Sequence, residues 1–142
     1  MSRNFPIERF RTIPTPFYYY DLDILDATLD KIVEESRKYG YKVHYALKAN
    51  ANPVLLKKIR EAGLGIDCVS GNEVQCAVEN AFDPKGIVFA GVGKSDWEIE
   101  YALNNGIACF NVESVPEMMV IDEIAARFGK KAQIAIRINP NV

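Results

Sequence analysis

Apolar positions along this chain switch repeatedly between two spacings. Leu22, Leu25, Leu29, Ile32 and Val33 recur at helical intervals. Asp21 or Asp23 can cap that helix, and Tyr39-Gly40 closes it. In the run Lys42–Asn50, Val43, Tyr45 and Leu47 alternate with His44, Ala46 and Lys48, as on a strand with one face under helices. The turn Asn50-Ala51-Asn52-Pro53 follows, with Pro53 at the first helical position. Leu55, Leu56 and Ile59 then form a stripe ending at Gly63. The order repeats: strand 65–70 and helix 73–81; strand 86–91 and a helix capped by Ser95; strand 107–112 and a helix capped by Ser114; strand 133–139. Upstream, residues 1–16 read as an extended lead-in broken by Pro6, Pro14 and Pro16. Phe17-Tyr18-Tyr19-Tyr20 reads as a short aromatic strand.

Strict β–α alternation predicts a parallel sheet with right-handed crossovers. A doubly wound sheet needs strands apolar on both faces. A barrel carries helices on one side only and tolerates small or polar groups inside. Here Ile134, Ile136 and Ile138 oppose Gln133, Ala135, Arg137 and Asn139, and Asp67 puts a carboxylate inside a strand. The pattern therefore predicts a partial (β/α)8 TIM-type barrel, with about five of eight parallel strands present. The chain stops at Pro140-Asn141-Val142, just past a strand, so a truncated barrel piece is expected. Such a piece would expose a sheet edge and self-associate.

Composition narrows the setting. The chain has 142 residues, 49% of them hydrophobic, which suffices for one folded domain. A net charge of -2 gives no electrostatic case for nucleic acid or an anionic membrane. No apolar run reaches membrane-spanning length, and Met1-Ser2-Arg3-Asn4-Phe5-Pro6 lacks the apolar segment of a signal peptide. Cys68, Cys76 and Cys109 are scattered, so neither a disulfide framework nor a metal site is indicated; they read as small buried hydrophobes. A cytoplasmic location is expected.

Parallel β/α folds place chemistry at strand carboxyl ends, where Lys48, Ser70, Gly91–Lys94 and Arg137–Asn139 fall. Two readings of Lys48 stand. It lies just past the strand and reaches water, or it is buried, loses its proton and becomes a nucleophile or Schiff-base former. His44, the single histidine, reads as a core residue below Lys48. Glu73 reads as a first-turn carboxylate facing a helix dipole. Gly93-Lys94-Ser95 imitates the end of a phosphate-binding loop, but Val88 stands where that motif needs glycine.

The run Tyr45-Ala46-Leu47-Lys48-Ala49-Asn50 resembles the pyridoxal-phosphate lysine motif of alanine-racemase-like, fold type III enzymes. Asp67-Cys68-Val69-Ser70-Gly71-Asn72-Glu73 resembles the second-strand signature of their decarboxylase branch, with Asn72 where a second glycine is usual. Phe89–Ser95 with Glu98-Ile99, Phe110–Ser114 with Glu117, and Arg137-Ile138-Asn139-Pro140 are similar to diaminopimelate decarboxylases.

The resemblance implies that pyridoxal 5'-phosphate is held covalently by Lys48, with Ala46, Asp67 and Arg137 also at the cofactor. An amine attacks an aldehyde only in its neutral form, so such a site has to favour loss of the ammonium proton. The resemblance places Asp67 under the cofactor, orienting Lys48 or Arg137. Arg137 either supplies positive field or forms a structural salt bridge, for instance with Asp67. The ring-stacking histidine, the glycine-rich phosphate loop and a C-terminal β-domain would lie beyond this chain. Residues 17–142 would then be the N-terminal portion of the cofactor-binding barrel. The implied activity is decarboxylation of meso-2,6-diaminopimelate to L-lysine by a homodimer, each site completed by the partner. Decarboxylases of ornithine, arginine or carboxynorspermidine, and non-catalytic pyridoxal-phosphate carriers, are the alternatives.

Overall fold

The computed structural model describes residues 5–140. Met1–Asn4 of the lead-in, and Asn141 and Val142 after the last strand, lie outside the described residues. In chain order the elements are α1 (Ile7–Phe10), α2 (Leu22–Tyr39), β1 (His44–Ala46), α3 (Pro53–Glu61), β2 (Gly65–Cys68), α4 (Gly71–Glu79), β3 (Ile87–Phe89), α5 (Asp96–Asn105), β4 (Cys109–Val112), α6 (Val115–Arg127) and β5 (Ile134–Ile136). Short 3-10 turns at Leu47–Ala49 and Pro84–Gly86 follow β1 and precede β3.

All five strands are parallel, and their order in the sheet is their order in the chain. A doubly wound sheet would reverse direction at a switch point; this one does not. Its two faces differ as a barrel wall requires. Ile66, Cys68, Ile87, Phe89, Phe110 and Val112 are at most 2% exposed and form the core beneath the helices. The alternate residues Asp67, Val88 and Asn111 are only half-buried.

Local chemistry explains the boundaries. Asp21 is the cap of α2, accepting from the Asp23 and Ile24 amides, and Gly40 ends the helix in a left-handed conformation (φ 68°). Asn52 caps α3 ahead of Pro53. Helices α4, α5 and α6 share a Ser-x-x-Glu start. Glu73 accepts from the Val69 amide at 2.8 Å, Glu98 from the Ser95 amide at 2.8 Å, and Glu117 from the Glu113 amide at 2.8 Å. These carboxylates satisfy amides that lack partners within the helix.

Four expectations need correction. The strand expected across Lys42–Asn50 spans only His44–Ala46, because the chain tightens into a 3-10 turn at Leu47. Leu47 continues the apolar alternation but is buried from within that turn. Phe17-Tyr18-Tyr19-Tyr20 forms no strand. Its rings pack on one another and on Phe5 and Phe10, with Phe10 4.9 Å from Tyr19, and the run pairs with no strand of the sheet. The lead-in is not extended throughout, since α1 makes one helical turn at Ile7–Phe10. Of the cysteines, all free, only Cys68 is fully buried; Cys76 and Cys109 are half-buried.

Candidate active site

The site is built at the carboxyl ends of the strands. Ala46 ends β1 and pairs in register with Asp67 of β2. Lys48 stands two residues beyond Ala46 on the 3-10 turn. It is exposed, which decides between the two readings of its position: the amine meets solvent at the rim and is not sunk in the strand. No carboxylate pairs with it among the described residues.

Asp67 faces away from the helix-packed core to which Ile66 and Cys68 belong. Its Oδ1 is buried and has no hydrogen-bond partner. A buried acceptor without a donor is costly and points to a ligand or a missing neighbour. Ala46, directly across from it, adds only a methyl group and leaves room there.

Arg137 follows β5, anchored by its amide to the Val112 carbonyl at 2.9 Å. Its guanidinium does not reach Asp67. It donates to Glu113 Oε1 at 3.3 Å, and the same oxygen accepts from the Gly91 amide at 3.4 Å. The structural salt bridge considered for Arg137 therefore exists with a different carboxylate. Strand order explains this: β2 and β5 are separated by two strands, whereas Glu113 leaves β4, next to β5.

The other singled-out residues have structural places. His44 lies against Gly65, where a Cβ would collide with its ring. Glu73 caps α4 together with Ser70. Asn72 is an exposed residue of α4, a position that does not need glycine. Lys94 is the residue that sequence reasoning undervalued. Its side chain is 2% exposed and donates to the Gly91 carbonyl (2.8 Å), the Asn111 carbonyl (3.0 Å) and Glu117 (2.5 Å). It knits the β3–α5 loop to β4 and α6 and is no phosphate ligand. The spacing Ser114-x-x-Glu117 was the available signal, since one oxygen of such a glutamate caps the helix and the other is free to pair.

Burial above all, then Glu73 and Asp67, pushes the Cys68 thiol up to about 12, so it is not a nucleophile. Burial of Glu98 is its largest influence and acts upward. Hydrogen bonds from the Ser95 and Gly71 amides and the Ser95 hydroxyl, with the Lys94 charge, outweigh it and hold this carboxyl below its usual value.

A rim amine, a neighbouring half-buried carboxylate with one buried, unpartnered oxygen, and a sheet face opposite the helix-packed core define a small-molecule site of the β/α-barrel class. The chain belongs to the family described as pyridoxal-dependent decarboxylase, pyridoxal binding domain, whose model matches residues 26–142. It is 59% identical over 143 residues to the diaminopimelate decarboxylase of Bacteroides thetaiotaomicron, an alignment covering 100% of this chain and 37% of that protein. The structure of the Helicobacter pylori diaminopimelate decarboxylase complexed with L-lysine superposes with a TM-score of 0.86 at 46% identity, covering 96% of this chain and 34% of that one. The diaminopimelate decarboxylase of M. jannaschii gives 0.90 at 34% identity, with 96% and 33% covered. The five parallel strands thus match part of the barrel in these enzymes, and the chain spans about a third of the length of its curated relatives.

The residues present fit a pyridoxal group. Lys48 offers an exposed amine for its aldehyde, and Asp67 Oδ1 offers an acceptor that the protein itself leaves unused. Among the described residues no helix is long and apolar enough to cross a membrane, and no cluster of metal-ligating side chains occurs.

Proposed function

We propose that the full-length protein carrying this chain is a pyridoxal-5'-phosphate-dependent decarboxylase of meso-2,6-diaminopimelate that releases L-lysine. One observation supports the chemistry: the Lys48 turn and the unpartnered Asp67 oxygen leave neighbouring strands at the same end of the sheet. The 59% identity across the whole chain supports the substrate over ornithine or arginine.

The cofactor, when bound, supplies an aldehyde that bonds to amines and a ring that accepts the electron pair left as carbon dioxide departs. Everything else falls to the protein. Lys48 would hold the group through Nζ and give up its place to the substrate amine, taking or returning a proton there. Asp67 would accept a hydrogen bond at Oδ1. Ala46 would keep the floor between them open. Arg137, fixed by Glu113, would place a permanent positive charge at the rim. Residues 17–142 would form the first part of the cofactor-binding barrel. Later segments, a β-domain and a second subunit would complete the site, in the cytoplasm.

The test is carbon dioxide and L-lysine release from meso-diaminopimelate by the full-length protein, with Lys48→Ala alongside. Turnover is expected to fall to background in the variant. Retained turnover removes Lys48 from its role, and product from ornithine or arginine but none from diaminopimelate removes the substrate. The 142-residue chain alone is expected to be inactive and to self-associate. Ile134 and Ile136 of its last strand, and Ile138 just past it, are 40%, 68% and 81% exposed. A single monomeric species in sedimentation velocity would contradict that.

A further inference from the structure

Lys48 has to be held in place although its turn is short and its side chain lies in water. The hydrogen bonds that hold it converge on one residue, Asn50. The Asn50 amide donates to the Leu47 carbonyl at 3.2 Å and closes the 3-10 turn. The Asn50 carbonyl accepts from the Tyr45 hydroxyl at 3.1 Å, so the strand before the lysine grips the chain after it. The Asn50 side-chain oxygen accepts from the Asn52 amide at 2.9 Å, and its side-chain amide donates to the Tyr20 hydroxyl at 2.8 Å, thirty positions upstream. Tyr45 is itself seated against the core. Burial, as the main cause, raises its phenol above the usual value, so it remains a proton donor at neutral pH.

Every group in this set is uncharged. That separates the lysine turn from the turns after β2, β3 and β4, each of which is gripped by a glutamate. Helix α3, which starts beyond the lysine turn, has no acidic residue in its first turn. The titratable groups on adjoining elements are His44 and Tyr45 of β1, Tyr20 of the lead-in, Asp67 and Cys68 of β2, and Glu73 and Cys76 of α4, with Glu73 engaged by the Val69 amide. A carboxylate on the lysine's own turn would pair with the amine and favour its protonated, unreactive form.

We propose that Tyr45, Asn50 and Tyr20 are positioning residues for Lys48, clamping its turn with neutral groups so that the amine keeps no carboxylate partner there. This rests on the reading of Lys48 as the residue that bonds the cofactor aldehyde. The clamp can still be tested apart from that reading.

The experiment uses the full-length protein stripped of cofactor. Pyridoxal 5'-phosphate is the probe, trapped with cyanoborohydride and quantified on the Lys48 peptide by mass spectrometry across a pH series. Amide exchange at Ala49 and Asn50 and the thermal midpoint are recorded in parallel. In Tyr45→Phe, which keeps the packed ring and loses the hydroxyl, labelling is expected to slow about three- to tenfold at every pH. Exchange at Asn50 is expected to quicken while exchange in the core strands holds. In Asn50→Asp, which keeps the acceptor toward Asn52 and adds a charge, the pH midpoint of labelling is expected to move upward. A purely structural role would leave that midpoint unmoved. Unchanged labelling in Tyr45→Phe, or an unmoved midpoint in Asn50→Asp, overturns the proposal. If wild-type Lys48 is not labelled at all, the cofactor reading falls, and Asn50 exchange alone decides the clamp: faster in Tyr45→Phe supports it, unchanged overturns it.

Discussion

The turns on the rim of this sheet are held by two kinds of chemistry. After β2, β3 and β4 a serine and a glutamate three residues later start the helix, and the glutamate grips a backbone amide. Two of these glutamates reach further. Glu98 also accepts from the Gly71 amide at 2.5 Å, and Glu117 also holds Lys94, so each ties its own helix to the preceding loop. The result is a chain of charge-assisted contacts from α4 to α6 that fixes three loops relative to one another. The lysine turn after β1 stands outside this chain. Asparagine and tyrosine hold it, and its helix starts with Asn52 and Pro53. The contrast separates two tasks. A carboxylate is the stronger clamp for a backbone amide, but next to an amine that must react it would be a competitor for the same charge.

The contrast is broken most severely at Lys94. Lys94→Met is expected to strand the half-buried Glu117 without its cation and to orphan the Gly91 and Asn111 carbonyls. Loss of one partner of a buried pair costs about 3–5 kcal/mol. Denaturant titration should show that loss. The double variant Lys94→Met, Glu117→Gln should recover part of it, because the uncompensated carboxylate is then gone. A loss below about 1 kcal/mol for the single variant would mean that the rim belt is not held by this pair.

Much of this architecture is legible in the chain itself. Asp21, Gly40, Pro53, Ser95 and Ser114 mark helix ends because capping is local chemistry that needs no tertiary information. The alternation of Ile66 and Cys68 with Asp67, and of Phe110 and Val112 with Asn111, marks the two faces for the same reason. What is not legible depends on neighbours distant in sequence. The aromatic run Phe17–Tyr20 has strand-like composition, yet a strand needs a partner edge. Arg137 could be matched with any carboxylate in the site, and only the strand order decides for Glu113. The length of β1 is hidden because Leu47 keeps the alternation although the backbone has already turned. Lys94 is hidden because its glycine-flanked setting looks like a loop exposed to ligands, while two of its three acceptors, Asn111 of β4 and Glu117 of α6, are distant in sequence.

The smaller and sharper test is at Glu98. Glu98→Gln keeps the size of the side chain and one acceptor oxygen. It removes the charge that draws hydrogen bonds from the Ser95 and Gly71 amides and the Ser95 hydroxyl. The expected cost near neutral pH is about 1 kcal/mol, as for the loss of a helix cap. Its pH dependence tells a charged clamp from a neutral one. The folded carboxyl ionises more readily than its ordinary value of 4.5. Its contribution is therefore complete above that value and is lost as pH falls through the lower folded value. Stability curves of wild type and Glu98→Gln should stand apart at neutral pH and converge on acidification below 4.5. The corresponding neutral change on the lysine turn, Tyr45→Phe, should give a difference that does not close over the same acid range, because no group in that clamp changes charge there. Parallel curves for Glu98→Gln down to the acid limit would show that the charge of this glutamate contributes nothing to the rim, and the distinction between the two kinds of turn would then rest on shape alone.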